Sequence, residues 1–478
     1  MSILKQFDNR VLLNQVSVVA GGAILSQFIN LLATLLLTRL YTPYDFGFFG
    51  TYSAIVTLGA VVAGLRYELA VSLPKREGTA ANLMALSALC VIAFALTMMI
   101  VVVTLDLNGI LVDLKLLSYI YALPLGIAVA GLYQTIIYWA ISHRNFQGIS
   151  KSRIGQSSIA LTVQIAFGWV GAGIVGLIVG SLISHLAGAV FLIVAIGVGK
   201  RAAFRQVSWS RMRLLAIHFN RFPKFSVLEG LAVSAGTQLP ILVFAASFSS
   251  TLSGQFVLAV QIAQTPLRLF GSSMGQVLFS RAAEAKRLGN LADLMSSSMR
   301  LLARLGIAPL LMTTVIAPEL FSMIFGEAWL IAGTYLIWLM PILAIEFIFA
   351  PLSVAVEAIK IRYRALFTRL LLVGIPIMAM YAMAITKGDP ITAIASYSVT
   401  GCIAYLVYGA WLMHVSCVPT RVWTKILFIE TLLAFIPYLS LIGLKLLIDP
   451  VEFSDFIVCF GVLIICLWFY LFSRKFLN

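Results

Sequence analysis

The sequence predicts an all-α integral membrane protein that crosses its bilayer about 14 times. Three observations predict it. The 478-residue chain is 61% hydrophobic and only 11% charged, whereas soluble chains carry roughly a quarter charged residues. Its apolar residues fall into runs of about 20 or more, the length a helix needs to cross the hydrocarbon core. Its basic residues cluster in alternate gaps between those runs, as the positive-inside bias of membrane proteins demands. A mean hydropathy of +1.02 agrees.

By length, the spans fall near 11–38, 47–72, 80–105, 114–142, 154–171, 174–199, 224–247, 253–280, 296–325, 330–357, 362–384, 390–414, 422–447 and 453–473. They are numbered 1 to 14 below. Several exceed the minimum and so imply tilt or extension beyond the bilayer. The weakest break is Gly171–Gly173, where spans 5 and 6 almost merge. Met1 to Arg10 is short and polar. The run after it is too long for a signal-peptide core and lacks a small-residue cleavage pattern, so it reads as an uncleaved first helix.

The loops test the count. One side holds Lys5 and Arg10; Lys75 and Arg76; Arg144, Lys151 and Arg153; and the cluster from Lys200 through Arg205, Arg211 and Arg213 to Lys224. The same side continues with Arg281, Lys286 and Arg287; Lys360, Arg362 and Arg364; Arg421 and Lys425; Arg474 and Lys475. The other side has only Arg39, Lys115 and Lys387 among the acids Asp45, Asp106, Asp113, Asp389, Asp449, Glu452 and Asp455. A miscounted helix would invert this alternation partway along, and it never inverts. The pattern places both termini in the cytoplasm. It also accounts for the net charge of +15: the cations are spread over loops, not gathered into a nucleic-acid-binding domain.

The longest loop, 200–223, divides the chain nearly in half. Within it, Ser208–Phe222 mixes Trp209, Leu214, Leu215, Ile217 and Phe219 with Arg211, Arg213 and Arg221. That composition predicts an amphipathic helix lying on the membrane surface, with a partner-docking site as the alternative. The expected organisation is an N-terminal lobe of spans 1–6 (1–199), the linker (200–223), a C-terminal lobe of spans 7–12 (224–414) and spans 13 and 14 (415–478). A faint repeat supports it. Tyr44-Asp45-Phe46-Gly47 joins spans 1 and 2, and Leu252-Ser253-Gly254-Gln255-Phe256 follows span 7; each is a short outer turn with Gly near Phe. An even number of spans per half makes the halves parallel repeats.

Charged and polar groups at bilayer depth are costly and usually face a bundle interior or a wet cavity. Arg268 is the sharpest case. Gln261, Gln264, Thr265, Arg268, Ser272 and Gln276 recur at spacings of three and four, one stripe of an ideal helix. The stripe reads as a hydrated wall; the alternative is a structural arginine pairing with a neighbouring helix. Pro266 would loosen the backbone there. Span 1 carries a milder stripe of Gln27, Asn30, Thr34 and Thr38, ending at Arg39, which could equally glue helices together. In span 2, Arg66 and Glu68 are two apart, so an unbroken helix would point them in different directions, each with its own partner or water. Glu346 lies near the middle of span 10, between Pro341 and Pro351. It could carry a proton or cation, or pair with an arginine. Glu68 and Glu229 are weaker candidates for such coupling, and Glu430 reads as structural.

No catalytic constellation appears. The four histidines are scattered without metal spacing, no phosphate-binding loop of the Walker type is present, and the five cysteines form no metal or disulfide pattern. The outer loops are too short to hold a soluble catalytic domain. The expectation is a transporter without metal or cofactor, not an enzyme.

Four stretches carry a resemblance. Arg39-Leu40-Tyr41-Thr42-Pro43-Tyr44-Asp45-Phe46-Gly47 resembles the "R-L-Y-T-P-x-D-F-G" opening of bacterial Wzx-type oligosaccharide flippases, in the polysaccharide branch of the multidrug/oligosaccharidyl-lipid/polysaccharide (MOP) superfamily. Leu65 to Pro74, Ala259 to Arg281, and Phe325-Gly326-Glu327-Ala328-Trp329 with Ala332-Gly333 look similar to the same family. The resemblance covers roughly 10–370 and fades after that. It implies two six-helix lobes in a V, a cavity lined by spans 1, 2, 7 and 8, and alternating access in a bacterial inner membrane. The implied cargo is an undecaprenyl-pyrophosphate-linked oligosaccharide, moved to the periplasmic leaflet for O-antigen, lipopolysaccharide or exopolysaccharide synthesis. Its diphosphate would meet Arg268, Arg66 and Arg39. Its sugars would meet Gln27, Asn30, Gln261, Gln264, Ser272 and Gln276, and its tail would stay in membrane lipid. A polysaccharide polymerase and a chain-length regulator are implied partners. Coupling to H+ or Na+ is left open, with Glu346, Glu229 and Glu68 as candidates. The alternatives are a cation-coupled multidrug-type antiporter, which an arginine-centred stripe disfavours, and a non-transporting scaffold of polysaccharide assembly.

Overall fold

The computed structural model describes residues 9–74, 76–108, 117–196, 204–358, 362–447, 458, 461–465 and 468, and among them there are helices and turns but no strand. Of the described helices, 11 are long and apolar enough to cross a membrane. The other expected spans fall short for identifiable reasons. Span 5, Phe146–Trp169, is rich in Ser, Gln and Gly. Span 8 is broken into two 17-residue helices, Ser250–Pro266 and Ser272–Leu288. Most of span 14 lies outside the described residues.

The remaining spans begin and end close to where apolar length puts them. Span 1 is Asn9–Leu40, span 3 is Glu77–Leu107, span 4 is Ala122–Ser142 and span 6 is Ile174–Ile196. Span 7 is Val227–Ser247, span 9 is Leu291–Phe325, span 10 is Leu330–Ala358, span 11 is Arg362–Lys387, span 12 is Pro390–Val415 and span 13 is Thr420–Leu447. Local chemistry sets the starts. Thr42 and Asp45 form a reciprocal capping box (Thr42 N to Asp45 Oδ2 2.9 Å, Asp45 N to Thr42 Oγ1 3.3 Å), with Pro43 at the first helical position. The Thr-Pro-Tyr-Asp stretch is therefore a helix-start signal whose orphan N–H groups are satisfied locally. Asp389 and Pro390 do the same for span 12.

The Phe325–Gly333 stretch is also structural. Gly326 at φ 107° turns the chain from span 9 into span 10, a conformation that side chains other than glycine's resist. Gln255 from span 8 clasps the turn, donating to the Ala328 carbonyl and accepting from Ala332 N at 3.0 Å. A Cβ on Gly333 would lie 2.5 Å from the Ala317 carbonyl oxygen, so this glycine lets the backbones of spans 9 and 10 touch.

By packing, the chain divides into two units, Met1–Leu242 and Val243–Asn478. In the first unit, span 4 packs against spans 2, 3 and 6, span 5 packs on span 6, and span 1 lies along span 5. In the second unit, span 10 packs against spans 8, 9 and 12, span 11 packs on span 12, and span 13 lies along span 9. Adding six to the main partners of span 4, spans 2, 3 and 6, gives those of span 10, spans 8, 9 and 12. The internal repeat is therefore visible in the packing, where the sequence trace is faint.

The division falls inside span 7, because the linker and the start of that span are held to the first unit. The linker helix, Trp209–His218, buries Met212 against Tyr67, Ala81, Leu83 and Trp139, while Trp209, Leu214 and Ile217 are exposed. Fully buried Asn82 pins its approach, donating to Gly78 O (2.7 Å) and Gln206 O (3.1 Å) and accepting from Ser208 N (3.0 Å). Tyr67 donates to Ala216 O at 3.2 Å. The amphipathic helix is thus shorter than Ser208–Phe222, and one face of it is docked on protein.

Candidate substrate-binding and coupling residues

Span 8 departs from ideal geometry where its arginine sits. Pro266 has no N–H and cannot continue the α-helical ladder. The chain answers with a π-helical turn, Leu267–Gly271, that contains Arg268. Such turns insert one residue and occur often at functional sites. Counting from Ser250, Arg268 is 18 positions in, about 27 Å at the helical rise. In a core about 30 Å thick it lies nearer the side of the basic loops than the centre. Its side chain is exposed and donates from Nη2 to Gln264 Oε1 at 3.0 Å. Gln261 and Thr265 sit on the same approach, half-buried. The extra residue rotates everything beyond it by about 100° relative to an ideal helix. The side chains of Ser272 and Gln276 lie outside the described residues.

Span 2 departs as well, in its own way. Its helix stops at Ala63, and Leu65 and Arg66 take the left-handed conformation at φ 48° and 59° before a short helix, Tyr67–Ala70, resumes. Non-glycine residues pay for that conformation, and consecutive ones usually mark a constrained site. The break corrects the expectation that Arg66 and Glu68 face apart. With the helix interrupted between them, Arg66 Nη1 comes 3.7 Å from Glu68 Oε1, and both side chains are largely buried. The Arg66 guanidinium lies against Gly230 of span 7, where a Cβ would be 1.9 Å from Nη2. The pair is loose: Arg66 Nε and Glu68 Oε2 are buried without hydrogen-bond partners. Arg66 and Arg268 thus occupy corresponding spans of the repeat, and each sits where its span loses regular α-helix.

The span 1 stripe divides. Thr34 and Thr38 are buried and donate to their own helix at Asn30 O and Leu35 O. Gln27 is half-buried, and Asn30 and Arg39 are exposed. Glu229 is exposed at the start of span 7. Glu346 is half-buried on span 10, with the Tyr405 hydroxyl of span 12 within hydrogen-bonding reach and Tyr397 alongside. Among the described residues its polar neighbours are these two tyrosines. Among the described residues no cluster of His, Cys, Asp and Glu could hold a metal ion.

Two ion pairs among the described residues join spans 9 and 13. Arg304 on span 9 grips Glu430 on span 13 through two hydrogen bonds, Nε to Oε2 at 3.0 Å and Nη2 to Oε1 at 2.6 Å. Trp468 Nε1 donates to the Arg304 carbonyl at 3.0 Å. Glu319 and Lys445 join the same two spans at 2.7 Å. The structural reading of Glu430 holds.

The comparisons fit this architecture. The lipid II flippase MurJ in an inward closed conformation superposes with a TM-score of 0.71 at 15% identity, over 96% of this chain and 99% of that one. An inward-facing multidrug resistance transporter of the MATE family in the MOP superfamily gives 0.60 at 15% identity, over 83% and 98%. A MOP superfamily transporter from Pyrococcus furiosus gives 0.55 at 14% identity, over 84% and 94%. No curated protein sequence matches the chain. The chain thus shares the fold of these structures. Residues 36–333, well over half of the chain, match the polysaccharide biosynthesis protein family, and the chain belongs to that family. The matched stretch contains Arg39, Arg66, Glu68, Glu229 and all of span 8, and it ends before Glu346.

Proposed function

We propose that the chain is a flippase. It moves an oligosaccharide linked to undecaprenyl pyrophosphate from the cytoplasmic to the periplasmic leaflet by alternating access, for surface-polysaccharide synthesis. The observation that carries the reading is Arg268: an exposed guanidinium on a π-helical turn inside a membrane-spanning helix, oriented by Gln264. A fixed guanidinium is suited to a diphosphate, which it can grip through two donors at once. Family membership supports polysaccharide as the sugar portion, and the fold likeness to a lipid II flippase supports a lipid-linked cargo. Arg66 is the weaker phosphate candidate, because Glu68 already neutralises it. Arg39 is supported by its charge and exposure at the end of span 1.

The test is reconstitution of the purified protein into liposomes loaded with a fluorescent diphosphate-linked oligosaccharide. Its arrival in the outer leaflet is read by an impermeant quencher. Translocation of this lipid but not of a cationic dye is expected. Export of the dye with no movement of the lipid would replace the flippase by a multidrug-type antiporter.

The same assay addresses coupling. Glu346, half-buried beside two tyrosines, is the acid best placed to gain and lose a proton or cation during the cycle. Glu346→Gln fixes the neutral form while keeping its size. That variant should lose the acceleration that an imposed ion gradient gives the wild type. If it transports normally and keeps its gradient dependence, Glu346 has no coupling role. Glu68, paired loosely with Arg66, and exposed Glu229 rank behind it.

A further inference from the structure

On the basic-loop side of the first unit, a cavity of about 550 Å3 opens between the start of span 3 and the linker helix. Its polar lining is Arg76, Thr79 and Asn82 at the start of span 3, and Gln206, Ser210 and Arg211 from the linker, with Leu214 on its apolar wall. No carboxylate is among the lining residues. The neighbouring acid, Glu77, is turned to His143 at 3.7 Å. Arg76 makes no ion pair among the described residues, and the only protein partner of the Arg211 guanidinium there is the Gln206 carbonyl at 3.5 Å, at the limit of a hydrogen bond. Two guanidiniums and two hydroxyls therefore line one pocket with little protein to neutralise them. Both helices that border it also begin there, at Glu77 and Trp209, so the positive ends of two helix dipoles add to the field.

The pocket is built, not incidental. Buried Asn82 bridges span 3 to the linker just beneath it, and Met212 anchors the linker helix to the core. The helix that supplies its rim is apolar and uncovered: Leu214, which lines the pocket, and Trp209 and Ile217 elsewhere on the same helix are each about two-thirds exposed. A basic pocket beside an exposed apolar rim matches an anionic amphiphile at the membrane surface, with its phosphate in the pocket and its acyl chains over the rim. A free phosphate would use the arginines and leave the rim without purpose.

We propose that this pocket binds the phosphate of an anionic phospholipid headgroup. The site is separate from Arg268, belongs to a different unit of the fold, and does not depend on the identity of the transported cargo. Occupancy would join span 3 to the linker through a shared anion and so tie the docking of the linker to the lipid composition of the membrane.

The test uses the purified full-length chain in detergent and measures binding of phosphatidylglycerol, phosphatidylcholine and inorganic phosphate by native mass spectrometry. Phosphatidylglycerol should be retained at least ~10-fold better than phosphatidylcholine, and raised salt should weaken it, as partly exposed charge pairs require. Arg76→Ala with Arg211→Ala should remove most of that preference. Arg76→Lys with Arg211→Lys should keep part of it, because charge survives while the two-donor fork is lost. Arg213→Ala, on the same helix but outside the lining, should bind as the wild type does, which separates a pocket from generic positive charge. Equal retention of the two lipids, or undiminished phosphatidylglycerol binding by the double alanine variant, would overturn the proposal. Displacement of phosphatidylglycerol by millimolar inorganic phosphate would also overturn the lipid assignment, since it would show that the rim adds nothing.

Discussion

Arg268→Ala should abolish most translocation of the diphosphate-linked oligosaccharide while leaving a folded, membrane-inserted protein. The arginine is exposed, and its hydrogen bond to Gln264 runs along its own span, not across to a neighbouring helix. Its removal therefore empties no packed core. The functional loss should be large. A charge-assisted hydrogen bond contributes about 1.5–3 kcal/mol, so losing a two-donor grip removes at least ~3 kcal/mol. If that grip holds while the diphosphate crosses the rate-limiting barrier, the rate falls about 100-fold. Arg268→Lys keeps the charge but not the fork and should retain partial activity. Gln264→Ala, which frees the guanidinium from its positioning contact, should fall between Lys and wild type. Initial rates in the liposome assay, normalised to inserted protein, separate the cases. Wild-type rates from Arg268→Ala would remove Arg268 from the site. A protein that no longer inserts or folds would make the arginine structural.

The sequence made the architecture readable because membrane spans obey two strong constraints at once, apolar length and loop charge. Spans 3, 6, 10, 12 and 13 start and end within a few residues of the runs that predict them. Periodicity was a poorer guide to the sites, and for a single reason: it assumes an unbroken α-helix. At Leu65–Arg66 the backbone turns left-handed, and two residues that a helical wheel sends apart become a pair. At Leu267–Gly271 a π-helical turn interrupts the regular spacing on which the stripe through Gln264 and Arg268 relies. Both irregularities follow visible signals, Gly64 in one case and Pro266 in the other, but neither residue reveals which conformation the chain will choose. The pairing of Arg304 with Glu430 spans 126 positions, a tertiary relation to which local spacing is blind. The repeat shows the opposite balance. Its trace in the letters is a Gly near a Phe, yet the packing order of spans 2, 3, 4 and 6 recurs in spans 8, 9, 10 and 12. Helix packing tolerates wide exchange among apolar residues, so the geometry persists where the letters do not.

Glu430→Ala should be the most destabilising single substitution among the charged residues of the second unit. Glu430 is 4% exposed and accepts both hydrogen bonds of a two-donor grip from Arg304, whose side chain is three-quarters buried. Removing the acid takes both of these hydrogen bonds from that guanidinium, and breaking a buried pair from one side costs about 3–5 kcal/mol. Lys445→Ala should cost less, about 1 kcal/mol, because the Lys445–Glu319 pair is more exposed on both sides. The two pairs together explain how span 13 keeps its register on span 9. Their partners are equally spaced, 15 positions from 304 to 319 and from 430 to 445, which is about 22 Å of helix. Their polarity is reversed, Arg on span 9 to Glu on span 13 at one end and Glu on span 9 to Lys on span 13 at the other. Sliding span 13 by one turn would break both pairs. Reversing its direction would set like charges against each other. The measurement is the midpoint of thermal unfolding in mild detergent. Glu430→Ala should lower it by roughly 10 °C, taking about 2–4 °C per kcal/mol for a unit of this size. The exchange Arg304→Glu with Glu430→Arg should recover much of the loss, and Arg304→Leu with Glu430→Leu should lie close to wild type, since neither leaves a lone buried charge. A Glu430→Ala protein that melts with the wild type would show that the pair contributes little to holding span 13 in place.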